Sequence, residues 1–255
     1  MMLANKVVVI TGGASGLGEA CARMFVENGS KAALLDLSED NGNRLANELG
    51  KDAIFCKTDV TDENEVENAL NLTMEKFGAI HIAINCAGTG TPAKVIGKNG
   101  PLSISSFRKV IDINLVGTMI VVARAAAKML LNEPQEDGER GVVINTASAA
   151  AFDGQIGQAA YSSSKAAVVG MTLPIAREFA EYGIRVNTIA PGLFDTPMLA
   201  GLKQEVRTAL GRMVPFPKRL GLPREYALLA KHIVDNPMLN GETIRLDGSL
   251  RMAAK

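Results

Sequence analysis

Residues 7–18 run Val7-Val8-Val9-Ile10-Thr11-Gly12-Gly13-Ala14-Ser15-Gly16-Leu17-Gly18. The segment opens with a run of β-branched residues suited to a strand buried on both faces. A cluster of glycines follows, and a helical pattern begins near Leu17. Glycines let the chain turn sharply and bring the backbone close to a ligand. The helix beyond them presents free N–H groups and a partial positive charge, which suits a pyrophosphate. A glycine-rich turn alone is weak information; its place between a strand and a helix gives it weight.

Outward from this unit, short apolar runs alternate with longer helical patterns. The expected strands are Lys6–Ile10, Ala32–Leu35, Ala53–Lys57, Ile80–Asn85, Val142–Thr146, Arg185–Ile189 and Thr243–Leu246. Helices are expected near Leu17–Asn28, Asp40–Leu49, Glu63–Phe77, Ser105–Leu131, Ala159–Tyr182 and Arg224–Asn236. This rhythm predicts an α/β fold, a single Rossmann-type doubly wound parallel sheet over residues 1–255 with helices on both faces. Three stretches break the rhythm. Thr89–Pro101 and Glu133–Gly141 read as loops, and Phe194–Leu222, rich in Met, Pro and Leu, reads as a lid beyond a strand's C-terminal end.

The bulk numbers narrow the partners. With 27 basic and 27 acidic residues in 255, the net charge is zero, which gives no footprint for nucleic acid or an anionic membrane. The three cysteines, Cys21, Cys56 and Cys86, have no CxxC spacing, and His81 and His232 stand apart, so neither disulfides nor a metal are expected. The N-terminal apolar run is too short for a signal peptide core. Leu115–Ala127 is interrupted by Arg124 and falls short of the ~20 residues of a membrane span. A cytoplasmic protein is expected, or a mitochondrial matrix one in a eukaryote.

Candidate site residues collect at the expected strand ends. The turn supplies Gly12, Ser15, Gly16, Leu17 and Gly18 to a dinucleotide. The second strand runs into Asp36, eighteen residues after Gly18, where a carboxylate accepts hydrogen bonds from an adenosine ribose and repels a 2′-phosphate. No Arg or Lys stands at 12–18 or 37–38 to offset it, so NAD is favoured over NADP. Asp59 and Val60 follow the third strand; Cys86, Ala87 and Gly88 follow the fourth. Tyr161 and Lys165 lie four apart at the start of a helical run, so they share a face. An ammonium beside a phenol favours its ionised form and suits it to acid/base work. Ser148, just past the fifth strand, can hold a substrate oxygen. Asn114, a poor helix former inside a long helical pattern, invites a functional reading.

Together these residues resemble the short-chain dehydrogenase/reductases over nearly the whole chain. The resemblance rests on TGxxxGxG at 11–18, NCAG at 85–88, Asn114, Ser148, YSSSK at 161–165 and Pro191-Gly192. The family form of the second motif is NNAG, so Cys86 is a departure. The resemblance implies a sheet of seven parallel strands and a proton relay through Tyr161, the ribose, Lys165 and a water held by Asn114. It also implies contacts from Phe194 and Thr196 to the nicotinamide end. Residues 140–178, 185–199, 214–227 and 236–252 are similar to one branch, the type 2 3-hydroxyacyl-CoA dehydrogenases, and the loops at 89–101 and 133–141 fit it. That branch implies an acyl-CoA substrate lying near Ser148, Gln155 and Tyr161, and a homotetramer packed through helices 105–131 and 159–182. A hydroxysteroid dehydrogenase, an acyl-carrier-protein reductase and a non-catalytic NAD-binding module are the other readings. The intact Ser-Tyr-Lys set speaks against the last.

Overall fold

The computed structural model describes residues 1–98 and 100–254; Asn99, inside the 89–101 stretch, and Lys255 lie outside the described residues. The β-branched run forms β1 (Val7–Thr11), and the glycine turn leads into α1 (Gly16–Glu27). The parallel sheet continues with β2 (Lys31–Asp36), β3 (Ala53–Lys57) and β4 (Ile82–Asn85). Between these run α2 (Glu39–Leu49) and α3 (Glu63–Phe77). In α3 the carboxylate of Asp62 accepts from the N–H groups of Asn64 and Glu65 at 2.8 and 3.1 Å, satisfying two donors the helix leaves free.

The loop after β4 contains a small hairpin, β5 (Ile96–Gly97) and β6 (Gly100–Pro101). The expected helix 105–131 is a continuous run of three parts: α4 (Ile104–Ile111), a π-helical turn at Asp112–Val116, and α5 (Gly117–Met129). Strands β7 (Gly141–Thr146), β8 (Ile184–Pro191) and β9 (Thr243–Leu246) complete the sheet, with α6 (Ala159–Phe179) and α9 (Pro223–Asp235) among their connections. The 194–222 segment carries two helices, α7 (Pro197–Ala200) and α8 (Gln204–Met213).

Strand order is β3-β2-β1-β4-β7-β8-β9, all parallel. The order reverses between β1 and β4, so the loops leaving those strands part to opposite faces and open a crevice at their C-terminal ends. Alternation along each strand divides the core. Val8 and Ile10 join Phe25, Leu34, Ile84, Tyr226 and Ile233 on one face. Val9 joins Leu35, Leu70, Ala83, Val122, Met129 and Val143 on the other. Each fully buried aliphatic side chain contributes roughly 1.5–3 kcal/mol.

The run Ile104–Met129 is long and apolar enough to cross a membrane, longer than the 115–127 window suggests. One stripe of it, including Val110, Asn114, Val121, Val122, Ala125 and Met129, is buried in the protein. His81 accepts from Val7 N–H through Nδ1 at 3.2 Å, and burial drives its pKa down to about 4, so it is a neutral structural acceptor.

Arg185 anchors the far end of the sheet. Its guanidinium donates to the carbonyls of Ile233, Val234 and Leu239 at 2.8–2.9 Å, closing the C-terminal end of α9, and pairs with Glu139 at 2.7 Å. Both side chains are nearly enclosed. Arg185→Leu leaves the carbonyls of Ile233, Val234 and Leu239 unmet and Glu139 with only the N-terminal ammonium, 3.1 Å away, so a loss of about 3–5 kcal/mol is expected. Thermal unfolding of the variant should fall by about 10 °C; an unchanged midpoint would show that the pair does not hold α9.

Candidate active site

The glycine turn is shaped by backbone demands. Gly12 and Gly16 have φ of 61° and 54°, a region closed to most side chains. At Gly18 a Cβ would stand 2.2 Å from the Gly12 carbonyl oxygen, so only glycine lets α1 begin so close to β1. Cys86 and Ala87 abut the same turn, their backbone within 3.0 Å of a Cβ built on Gly12. Ala87 N–H donates to Thr11 Oγ1 at 3.1 Å, tying the loop after β4 to the end of β1. The Asp36 carboxylate accepts from Ala14 N–H and Ser38 N–H, each at 3.0 Å, which fixes it beside the turn at the end of β2. These residues fit a dinucleotide: a cradle that a side chain would fill, a helix N-terminus behind it, and a carboxylate placed for a ribose.

The second cluster forms where the β4 loop, the π-turn and α6 meet. Asn114 is fully buried. Its Oδ1 accepts from Thr89 N–H at 2.8 Å, and its Nδ2 donates to Thr89 O at 2.9 Å and to Ser164 Oγ at 3.0 Å. Lys165 Nζ donates to Thr146 O at 2.7 Å and lies over the Tyr161 ring, 5.9 Å from its centre. A Cβ on Gly88 would stand 3.2 Å from Asn114 Oδ1 and 3.5 Å from Lys165 Nζ, so the NCAG glycine admits both groups to one spot. Ser148 is buried just past β7, its Oγ accepting from Ala150 N–H at 3.1 Å. A hydroxyl, a phenol and an ammonium are thus gathered at the strand ends beside a dinucleotide turn, the equipment for moving a proton to or from a carbonyl oxygen.

Comparison with known proteins agrees with this arrangement. The family model described as short chain dehydrogenase matches residues 6–207. A 3-hydroxyacyl-CoA dehydrogenase type-2 of Drosophila melanogaster is 54% identical over 253 residues, covering 98% of this chain and 99% of its own. A crystal structure of 3-hydroxyacyl-CoA dehydrogenase type-2 from Mycobacterium avium superposes with a TM-score of 0.93 at 40% identity, covering 98% of this chain and 97% of its own. One of 3-ketoacyl-(acyl-carrier-protein) reductase from Brucella melitensis, complexed with NADH, gives 0.87 at 26% identity, covering 98% and 100%. The chain belongs to the short-chain dehydrogenases. It is an oxidoreductase of that family, using a nicotinamide dinucleotide.

In this short-chain dehydrogenase several expected residues have partners the sequence did not suggest. Asp59 Oδ1 accepts from both Thr61 N–H and Thr61 Oγ1, at 2.9 and 2.7 Å. Val60 is buried against Gly117. Cys86 turns its thiol inward, 3.7 Å from Thr146 Oγ1 and 3.8 Å from the Tyr226 hydroxyl. Gln155, expected beside the substrate, donates its Nε2 to Ala253 O at 2.9 Å. Phe194 is buried with its ring packed on Gly221. Thr196 and Pro197 lie against Gly16, so the 194–222 segment starts on the glycine turn, and an Asp195–Arg207 ion pair holds its first turn to α8.

The electrostatics differ from expectation at Tyr161. Burial pushes the phenol up, and the Ser148 hydroxyl pulls it back only in part. Lys165 lies over the ring face, and burial lowers its own pKa to about 8. Thr89 and Ser164 were missed in the sequence as the partners of Asn114; Ser164, three residues after Tyr161 within YSSSK, was the available signal.

Because Lys165 falls from 10.5 to about 8 on folding, the unfolded chain binds the extra proton between those values, and stability rises with pH across that window. The gain over Lys165→Met from pH 8 to 10.5 should be on the order of 3 kcal/mol at most. Denaturant midpoints across the window check it; parallel curves for the two proteins would contradict a buried, proton-poor lysine.

Proposed function

We propose that this enzyme oxidises (S)-3-hydroxyacyl-CoA with NAD, and reduces 3-oxoacyl-CoA with NADH. The observation that carries the reading is the meeting of Ser148, Tyr161 and Lys165 beside a glycine turn whose adjoining strand ends in Asp36. The acyl-CoA half is supported by the 54% identity, over nearly both full lengths, to a protein named 3-hydroxyacyl-CoA dehydrogenase type-2. It is supported also by a cleft of about 320 Å3 beside Ala160, whose wall includes Lys94, Lys98 and Phe107. Two ammonium groups there suit a phosphorylated handle, and the aromatic ring suits its apolar portion.

A bound NAD would supply the hydride acceptor for the carbinol carbon, and hydroxyacyl-CoA and NAD would give oxoacyl-CoA, NADH and a proton. Tyr161 Oη receives the hydroxyl proton, or returns it in reduction. Ser148 Oγ orients the substrate oxygen. Lys165 stabilises the phenolate and holds the ribose, and Asn114 fixes the backbone around them. Gly12, Ser15, Gly16, Leu17 and Gly18 would hold the pyrophosphate, and Asp59, Val60, Cys86, Ala87, Gly88, Phe194 and Thr196 would border the rest of the cofactor crevice. A phenol raised by burial is better protonated at neutral pH, which favours it as the acid of reduction and asks for higher pH in oxidation. We infer also a homotetramer; Val116 at the end of the π-turn and Met119 on α5 are exposed apolar side chains, as a partner helix would require.

Asp36 is assigned to the adenosine ribose. Asp36→Ala should weaken NAD binding about tenfold or more and narrow its advantage over NADP, since charged hydrogen bonds contribute on the order of 1.5–3 kcal/mol. Titration of both dinucleotides measures it; equal NAD affinity would place the carboxylate away from the ribose.

The substrate is tested with one 3-oxo group on three handles, coenzyme A, N-acetylcysteamine and a carrier protein, assayed with NADH beside Tyr161→Phe. The coenzyme A form should have the highest kcat/KM, and the variant should lose about 10²–10⁴ in kcat while binding NADH as before. Preference for the carrier protein would replace the reading with a carrier-protein reductase, and a variant retaining a tenth of the rate would remove Tyr161 from the proton transfer.

A further inference from the structure

Most glycines at this site are required by the backbone, and Gly90 is not. Gly12 and Gly16 hold positive φ, and a Cβ on Gly13 or Gly18 would stand 2.7 or 2.2 Å from a backbone oxygen. Gly90 is absent from the positive-φ glycines. The nearest atoms to a Cβ built on it would be the Cδ2 and Cε2 edge of Tyr161 at 3.5 Å and Met198 Sδ at 3.8 Å, both ordinary van der Waals distances. An alanine fits there without strain. What the glycine keeps clear is a one-carbon space beside the phenol ring edge and the methionine sulfur, which any larger side chain would overfill.

That space flanks the proton-transfer group. A carbonyl oxygen bonded to Tyr161 Oη brings its carbon, with two substituents, to the edge of the same ring. Gly90 comes from the loop after β4, which is pinned one residue earlier by both Asn114 bonds to Thr89, so this wall is rigid. Met198 comes from α7 and is more than half exposed, so that wall is soft, with three rotatable bonds to follow a substituent's shape.

We propose that Gly90 and Met198 are the two walls of a size gauge, which sets how bulky a group may stand on the carbon that exchanges hydride. The proposal rests on Tyr161 as the proton-transfer group and extends the functional reading to the choice among substrates. The fixed wall sets the limit, and the flexible one tunes it.

The test is a ratio. With NADH, kcat/KM is measured for 3-oxobutyryl-CoA and for 4-methyl-3-oxopentanoyl-CoA, which differ only in a methyl or isopropyl group on the ketone. Gly90→Val should lower the bulky-to-small ratio by about tenfold or more, a step in line with one or two methyl groups in an apolar slot. Gly90→Ala should lower it by less, and Met198→Ala should raise it. NADH affinity, read by fluorescence, should be unchanged in all three. A uniform loss on both substrates, a change in NADH affinity, or ratios moving the same way for Gly90→Val and Met198→Ala would overturn the gauge. Should the parent enzyme be inert toward both thioesters, the acyl-CoA reading fails on its own. The same ratio on a methyl ketone and an isopropyl ketone lacking the coenzyme A handle then decides the gauge by itself.

Discussion

A buried primary amide has to find partners, because leaving its donors or acceptor unmet costs on the order of 1–3 kcal/mol each. Asn114 is wholly enclosed and satisfies this by reaching out of its own helix, to both backbone groups of Thr89 and to Ser164. Three elements are thereby joined at one side chain: the loop after β4, the α4–α5 run and the first turns of α6. The helix accommodates the demand with a π-turn at Asp112–Val116, the kind of irregularity that helices carry mostly at functional sites. The position of Gly88 between Asn114 and Lys165 follows from the same junction.

Around that junction the sheet supplies rigidity. Thr11, Asn85 and Asn145 stand in register on β1, β4 and β7, all buried, and Asn85 Nδ2 donates to Asn145 Oδ1 at 2.9 Å. The row links the turn beside α1 to the strand that ends before Ser148. Thr146 extends it: its side chain meets the Tyr226 hydroxyl at 2.7 Å, and its carbonyl accepts from Lys165. The dinucleotide turn and the acid/base cluster therefore sit on one frame. Hydride transfer benefits from such a frame because reacting groups must be held in near-attack geometry.

The other side of the crevice is built more loosely. The 194–222 segment is held by the Phe194 ring on Gly221, by the Asp195–Arg207 pair and by Thr196 on Gly16, with Met198 and Leu202 exposed. The wall beside Thr89 is therefore pinned by hydrogen bonds, whereas the wall carrying Met198 is exposed and free to adjust.

The strands, the glycine turn, Asp36 at the end of β2 and the shared helix face of Tyr161 and Lys165 were legible in the chain because each is local. Strand runs, positive-φ glycines and an i, i+4 pair are written in neighbouring residues. Packing settled what depends on segments far apart in the chain. It broke the expected helix 105–131 with a π-turn, since the need comes from Thr89 and Ser164, 25 and 50 residues away. It turned Gln155 to Ala253 and the Cys86 thiol to Tyr226, partners 98 and 140 residues distant. It raised the Tyr161 phenol where the nearby lysine alone argued for lowering it, because burial is a property of the packed molecule and not of spacing. And it set Gly90 against the edge of Tyr161 and Met198 Sδ, neighbours 71 and 108 residues away.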